Sequence, residues 1–481
     1  MPSSSLHRTQ GALTGVTVAF MREMMALDFA KMPPSTVAKA QLCLLDYLSC
    51  AFAARNYPAV KSTLAIASAW PASAGCPVIA SDLTLPPTEA AYVNSVMGAA
   101  AARTDMHPAI TAHCAPVIFP VAFALASQHL VTGADFIAAV VAGYEAMARV
   151  GRVMIDDRFR RHFRATAVLG AVGGAVTAAK LLKLSLDQSI SALALSANTA
   201  SGLMEFGYSG EVDLFFQPAN AARNAVTAAL LAREGVQASR TILEGEAGLL
   251  AGFGGLARAS EIVDTPRAGF EIEAVDFKRV PACVFVQAAV HAAEAIVLRE
   301  RIPADEIQNV ELRTFEAAVR YPGCDDPGPI DTLPAARMSL QYAVASVLVR
   351  RELTDANFTD IDNSALRALV PRVKLEIVDE FTAAYPARQG AQVIVTTLSG
   401  RAIEAQVDEV PSFDFDGIVA RYRRVASEWL DATQINALER MSLGCAQLTD
   451  VRQLISQLGA ARSGHEVSPA ITARPVVQVA G

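Results

Sequence analysis

Arg103-Thr104-Asp105-Met106-His107-Pro108 and, shortly after, His113-Cys114-Ala115-Pro116 gather an aspartate and two of the chain's seven histidines in one polar segment. Imidazole exchanges protons near neutral pH, and a carboxylate beside it can orient or assist it. The residue types therefore suit acid–base catalysis. They also suit a satisfied histidine pair that merely holds a loop. Two histidines six positions apart lack the third ligand and the spacing of a metal site. Cys114 has the chemistry of a nucleophile and, equally, the size of a small apolar filler.

Three further groups carry charge into apolar surroundings. Arg158-Phe159-Arg160-Arg161-His162-Phe163-Arg164 stands just before the Gly- and Ala-rich stretch that contains Thr166. Guanidinium forks match carboxylates bidentately, so this run reads as a carboxylate clamp, as interface ion pairs or as a solvated turn. Lys278-Arg279-Val280-Pro281-Ala282-Cys283 places a lysine near a change of structural character, where it reads equally as a group in a cleft between domains and as an ordinary surface lysine. In Arg337-Met338-Ser339-Leu340-Gln341-Tyr342, Tyr342 opens an apolar helical pattern and serves as proton donor or as core residue. Gly252, Gly254 and Gly255 imitate a phosphate loop, but no strand precedes them and a dinucleotide site is rejected.

The elements that must position these groups follow from composition and period. The chain has 481 residues, 52% hydrophobic and 19% charged, with a formal net charge of −7. That length exceeds one ordinary core, and the charge argues against nucleic acid or an anionic membrane as partner. Prolines break the long uncharged stretches, so no membrane span is expected. Met1 to Thr9 lacks the pattern of a secretory signal. Seven scattered cysteines without a CxxC fit reduced thiols in a cytoplasmic protein. Helical patterns fill the chain to about Gly255, including runs at Thr88–Ala102, Thr132–Arg152, Ala165–Leu182 and Asn220–Arg233. Alternation at Asn309–Phe315 and Arg372–Val378 predicts strands, and Val393–Leu398 with Arg401–Val407 predicts a hairpin. The expected fold is mainly α, a large all-helical domain interrupted by a smaller α+β lid domain. Its parts are 1–265 (helical), 266–410 (lid), 411–462 (returning helices) and 463–481 (flexible tail).

Taken in order, the motifs resemble the MmgE/PrpD family over about Thr14 to Leu458. They are the Asp105-x-His107…His113 loop, Gly143-Tyr144-Glu145 with Arg149, Thr166…Gly170, Ala221-Ala222-Arg223, Ala228 to Gly235, Glu244-Gly245, Lys278-x-x-Pro281-Ala282-Cys283 and Ser339-Leu340-Gln341-Tyr342-Ala343-Val344-Ala345. The family includes 2-methylcitrate dehydratase, cis-aconitate decarboxylase and iminodisuccinate epimerase. The resemblance implies a homodimer that needs neither cofactor nor metal, with its site between a helical domain and a lid. It implies a lyase, a dehydratase or decarboxylase, acting on a small di- or tricarboxylate by proton transfer beside a carboxylate. His113, Asp105, His107, Lys278 and Tyr342 are then the expected catalytic residues, and Arg164, His162, Gln217, Gln287 and Arg103 the expected substrate-binding ones. The alternatives are an epimerase of an amino- or iminodicarboxylate through the same carbanion, or a divergent binding protein. Some family positions differ. Arg103-Thr104 stand where acids usually precede Asp105, Arg164 replaces a histidine, and Leu214, Gln217 and Gln287 stand where a lysine and two histidines are usual.

Overall fold

The computed structural model describes residues 15–72, 74–264, 269–410 and 413–459. The start of the chain, the proposed boundary near Pro266 and the expected tail lie outside them.

The larger core is built from helices whose contact faces are made of small residues. They are α1 (Pro34–Ala54), α2 (Pro87–Ala100), α3 (Ala115–Ala126), α4 (Gly133–Met154), α5 (Ala165–Leu181) and α6 (Phe216–Arg233). Proline at the first turn opens α1 and α2, where its missing N–H has no intrahelical partner to lose. Thr132 caps α4 by accepting from the Asp135 amide at 3.1 Å. Every residue of α3 is buried, so this helix runs through the core instead of along its surface. Glycine sets the approach of α4 to α5: a Cβ on Gly143 would lie 2.1 Å from Thr177 Oγ1, and one on Gly173 would lie 2.7 Å from the Gly143 carbonyl. An all-helical reading to Gly255 misses one feature. Two short strands, β1 (Cys76–Pro77) and β2 (Thr84–Leu85), pair antiparallel where prolines deny the uncharged stretch a helix.

A second, separate core occupies the stretch from Val280 to Ile403. Its sheet contains β3 (Ile307–Thr314), β4 (Val373–Ile377), β5 (Ala391–Thr397) and β6 (Ala402–Val407), in the order β4-β3-β5-β6. β5 and β6 form the expected hairpin. β3 and β4 run parallel, so the chain between them must cross over. Alternate residues of β5 are buried, and α7 (Gln287–Arg299) and α8 (Leu340–Arg350) pack on the sheet. The chain then returns through α9 (Phe415–Ala426), which rejoins the first core at Ile418 and packs along α1. α1 is long and apolar enough to cross a membrane by length alone, but 72% of its apolar window is buried inside the protein.

Candidate active site

A cleft of about 830 Å³, counted out to its solvent mouth, opens where the two cores meet. Thr104, Met106 and His113 line it from the first core, with Arg164 and Thr166 at the start of α5. Cys283, Tyr321 and Arg337 line it from the second, and Lys278 lies between the two.

The polar loop reaches the cleft as extended chain. Met106 pairs with Asp276, and His107 with Ala112. Side chains of extended chain alternate between two faces. Ala102, Thr104 and Met106 therefore line the cleft, as do Thr111 and His113 on the return, whereas Arg103, Asp105 and His107 point away from it.

His113 is fixed at two points. Its backbone amide donates to Thr166 Oγ1 at 3.0 Å. Its Nδ1 lies 2.8 Å from the Asp105 carbonyl, which can only accept, so Nδ1 carries the proton and Nε2 is the free basic nitrogen. Burial, and then the charges of Lys278 and Arg164, push the His113 pKa well below 6.5. The imidazole is thus neutral near pH 7.

The three cations of the cleft are held by neutral oxygens. Lys278 Nζ donates to the carbonyls of Ala102 (2.6 Å) and Ala282 (3.0 Å). Ala102 adopts a left-handed φ of 54°. Burial, reinforced by Arg164, lowers the Lys278 pKa to about 8. Arg164 immediately precedes α5, donates to the Leu214 carbonyl and lies over the Phe206 ring. Burial brings its pKa down to about 10. Arg337 is 2% exposed and donates to the Ala100 carbonyl at 2.9 Å and to Tyr57 Oη at 2.8 Å, while its Nε has no partner. Among the described residues, none of the three makes an ion pair with a carboxylate.

The other expected site residues are placed elsewhere. Asp105 is fully buried: its carboxyl accepts from Tyr144 Oη at 2.5 Å and from the Ala115 amide at 3.0 Å, capping α3. Burial raises its pKa to about 7. It serves the site through its backbone carbonyl. His107 donates from Nε2 to Glu271 at 3.0 Å, and Arg152 binds the same carboxylate. Arg103 pairs with Asp355 of the second core at 2.6 Å and ties the two cores together. Tyr342 donates to the Asn357 carbonyl at 2.8 Å inside the second core, away from the cleft. His162 is exposed at the end of a short helix. Gln217 donates to the Leu203 carbonyl and does not line the cleft. Gln287 spends its amide N–H groups on the carbonyls of Val280, Ala282 and Cys283 and faces a different pocket. Cys114 is buried, with a thiol pKa pushed well up by that burial, as suits the filler reading.

Sequence reasoning quoted Arg337 but gave the role in its motif to Tyr342. The usable signal was that Arg337 is the lone charge between Asp331 and Arg350. The pair of Asp46 on α1 and Arg421 on α9 also went unremarked. Arg421 binds Asp46, donates to the Lys278 carbonyl at 2.9 Å and so anchors that lysine's backbone; Asp46 accepts from the Asp105 amide at 3.1 Å. Among the described residues, no group of three or more His, Cys, Asp and Glu could hold a metal ion.

A neutral imidazole in a cleft of cations without carboxylate partners, between a helical core and an α+β core, is an arrangement that suits acid–base chemistry on an anion. The family model of the MmgE/PrpD N-terminal domain matches residues 20–261, and that of the C-terminal domain matches residues 280–441. The chain belongs to the MmgE/PrpD family and is an enzyme, a lyase. It is similar to the cis-aconitate decarboxylase of Aspergillus terreus, at 26% identity over 93% of this chain and 96% of the relative. A cis-aconitate decarboxylase-like protein of Aspergillus oryzae is likewise 26% identical, over 93% of this chain and 97% of its own. The cis-aconitate decarboxylase of Homo sapiens is 28% identical over 76% and 77%.

Proposed function

We propose that this lyase removes carbon dioxide from a small unsaturated tricarboxylate of the cis-aconitate class, using no cofactor. The observation that carries the reading is the charge of the cleft. Lys278, Arg164 and Arg337 converge beside His113 with no carboxylate partner among the described residues, so an anion of two or three charges would complete the site. The names of the relatives favour decarboxylation over dehydration.

In the proposed reaction, a carboxylate one carbon away from the double bond leaves as carbon dioxide. Its C–C electron pair becomes a new double bond, and the former double bond shifts its electrons to its far carbon, which takes a proton. The cations stabilise the charge that develops on the remaining carboxylates. His113 supplies the proton. Its neutral form is favoured by burial and by Lys278 and Arg164, which repel its charged form. Bound carboxylates offset those cations, so the imidazole gains a proton at Nε2 as substrate arrives and gives it to carbon.

Incubation with cis-aconitate in deuterated water tests this by NMR and by release of gas. One deuterium fixed in the product per carbon dioxide released is the expected result. Label exchange without loss of carbon dioxide would replace the reading by isomerisation through the same carbanion, and gain of water would replace it by dehydratase chemistry.

A further inference from the structure

Cys283 and Cys324 face each other across 3.9 Å, sulfur to sulfur, with Cys324 donating. Cys283 is half-buried and lines the cleft, whereas Cys324 is fully buried behind it. Cys43, Cys50, Cys76, Cys114 and Cys445 are all buried, and burial raises their thiol pKa values. Cys283 shifts the other way. The hydrogen bond from Cys324 lowers its pKa against the effect of burial, and the Phe285 amide and the charge of Lys278 add to the lowering. A thiol that is reachable from the cleft and backed by a second thiol has the makings of a peroxide-reactive site.

We propose that Cys283 and Cys324 form a peroxide-reactive dithiol in the wall of the cleft, with Cys283 attacking and Cys324 resolving. The Cys283 thiolate attacks one oxygen of hydrogen peroxide. The O–O bond breaks, hydroxide leaves, and Cys283 becomes a sulfenic acid. The Cys324 sulfur then attacks the Cys283 sulfur, the S–O bond breaks, and the S–S bond forms as water leaves. In sum, two thiols and one peroxide give a disulfide and two waters, with two electrons passing from sulfur to peroxide. Peroxide is small enough to enter through the cleft, which gives Cys283 the first encounter. Closing 3.9 Å to the ~2.05 Å of a disulfide must move at least one of the two side chains. The Cys283 amide donates to the Arg337 carbonyl, and the Cys324 carbonyl accepts from the Leu340 amide. Both sulfurs therefore sit on backbone tied to the segment that carries Arg337. The inference does not rest on the substrate reading, because thiols report it without turnover.

The test treats the reduced full-length protein with hydrogen peroxide, blocks remaining thiols with iodoacetamide and maps peptides by mass spectrometry. The expected product joins the Cys283 and Cys324 peptides, is lighter by two hydrogens and is reversed by dithiothreitol. Cys324→Ser is expected to stop at a sulfenic acid on Cys283 that dimedone traps. Because that variant could misfold, alkylation rates are also read in the native wild type. There Cys283 is expected to react about tenfold or more faster than any other cysteine. First oxidation at another cysteine, no Cys283–Cys324 product, or a slower Cys283 would each overturn the proposal.

Discussion

The two faces of the Arg103–His113 loop differ in how their charges are satisfied. On the inner face, Asp105, His107 and Arg103 are bound to Tyr144 and the start of α3, to Glu271 and to Asp355. On the cleft face, His113 looks toward Lys278, Arg164 and Arg337, whose hydrogen bonds go to neutral oxygens. Buried polar and ionic groups that have partners hold a structure in register, and removing one partner destabilises it. Buried cations without counter-ions are retained at a cost to stability, and a ligand that supplies the missing charge recovers it. The inner face is thus architecture, and the cleft face is where a substrate would bind.

Substitutions on the two faces should separate activity from stability. The largest effect is expected from His113→Ala, which should lower turnover roughly 10²- to 10⁴-fold while leaving the thermal midpoint within a few degrees. A variant that unfolds instead would move His113 to the architectural face. Asp105→Ala should do the reverse. It leaves the Tyr144 hydroxyl and the Ala115 amide without an acceptor, and a loss of about 3 kcal/mol in denaturant unfolding is expected. Intact stability in that variant would break the comparison.

The smallest effect is in the pH dependence of stability. The hydrogen bonds from His107 and Arg152 outweigh burial and hold the Glu271 pKa near 2, below its ordinary 4.5. A depressed carboxylate stabilises the fold above its unfolded value, and that contribution fades as pH falls from about 4.5 toward 2. Glu271→Gln should flatten acid unfolding in that window; an unchanged acid limb would remove Glu271 from the inner network.

Much of the scaffold was legible in the sequence because it follows from local rules. The helical runs that open at Thr88 and Thr132 and the alternation at Val393–Leu398 each announce an element without long-range information. The polar residues of the loop were legible in the sequence, but not their facing. Asp105, His107 and His113 read alike as polar residues in one loop. Their division depends on the pairing of Met106 with Asp276, which no local pattern reveals. Tyr342 and Arg337 show the same limit. Both belong to one motif, but only the tertiary fold decides that the guanidinium meets the cleft and the phenol meets Asn357.

Equilibrium binding of tricarballylate, a saturated tricarboxylate that cannot lose carbon dioxide by this route, tests the division of the two faces most directly. Titration calorimetry on the wild type, Lys278→Ala and His107→Gln would read it. Binding to the wild type, weakened about tenfold or more by Lys278→Ala and unchanged by His107→Gln, is the expected result. No binding to the wild type, or equal binding with and without Lys278, would contradict it.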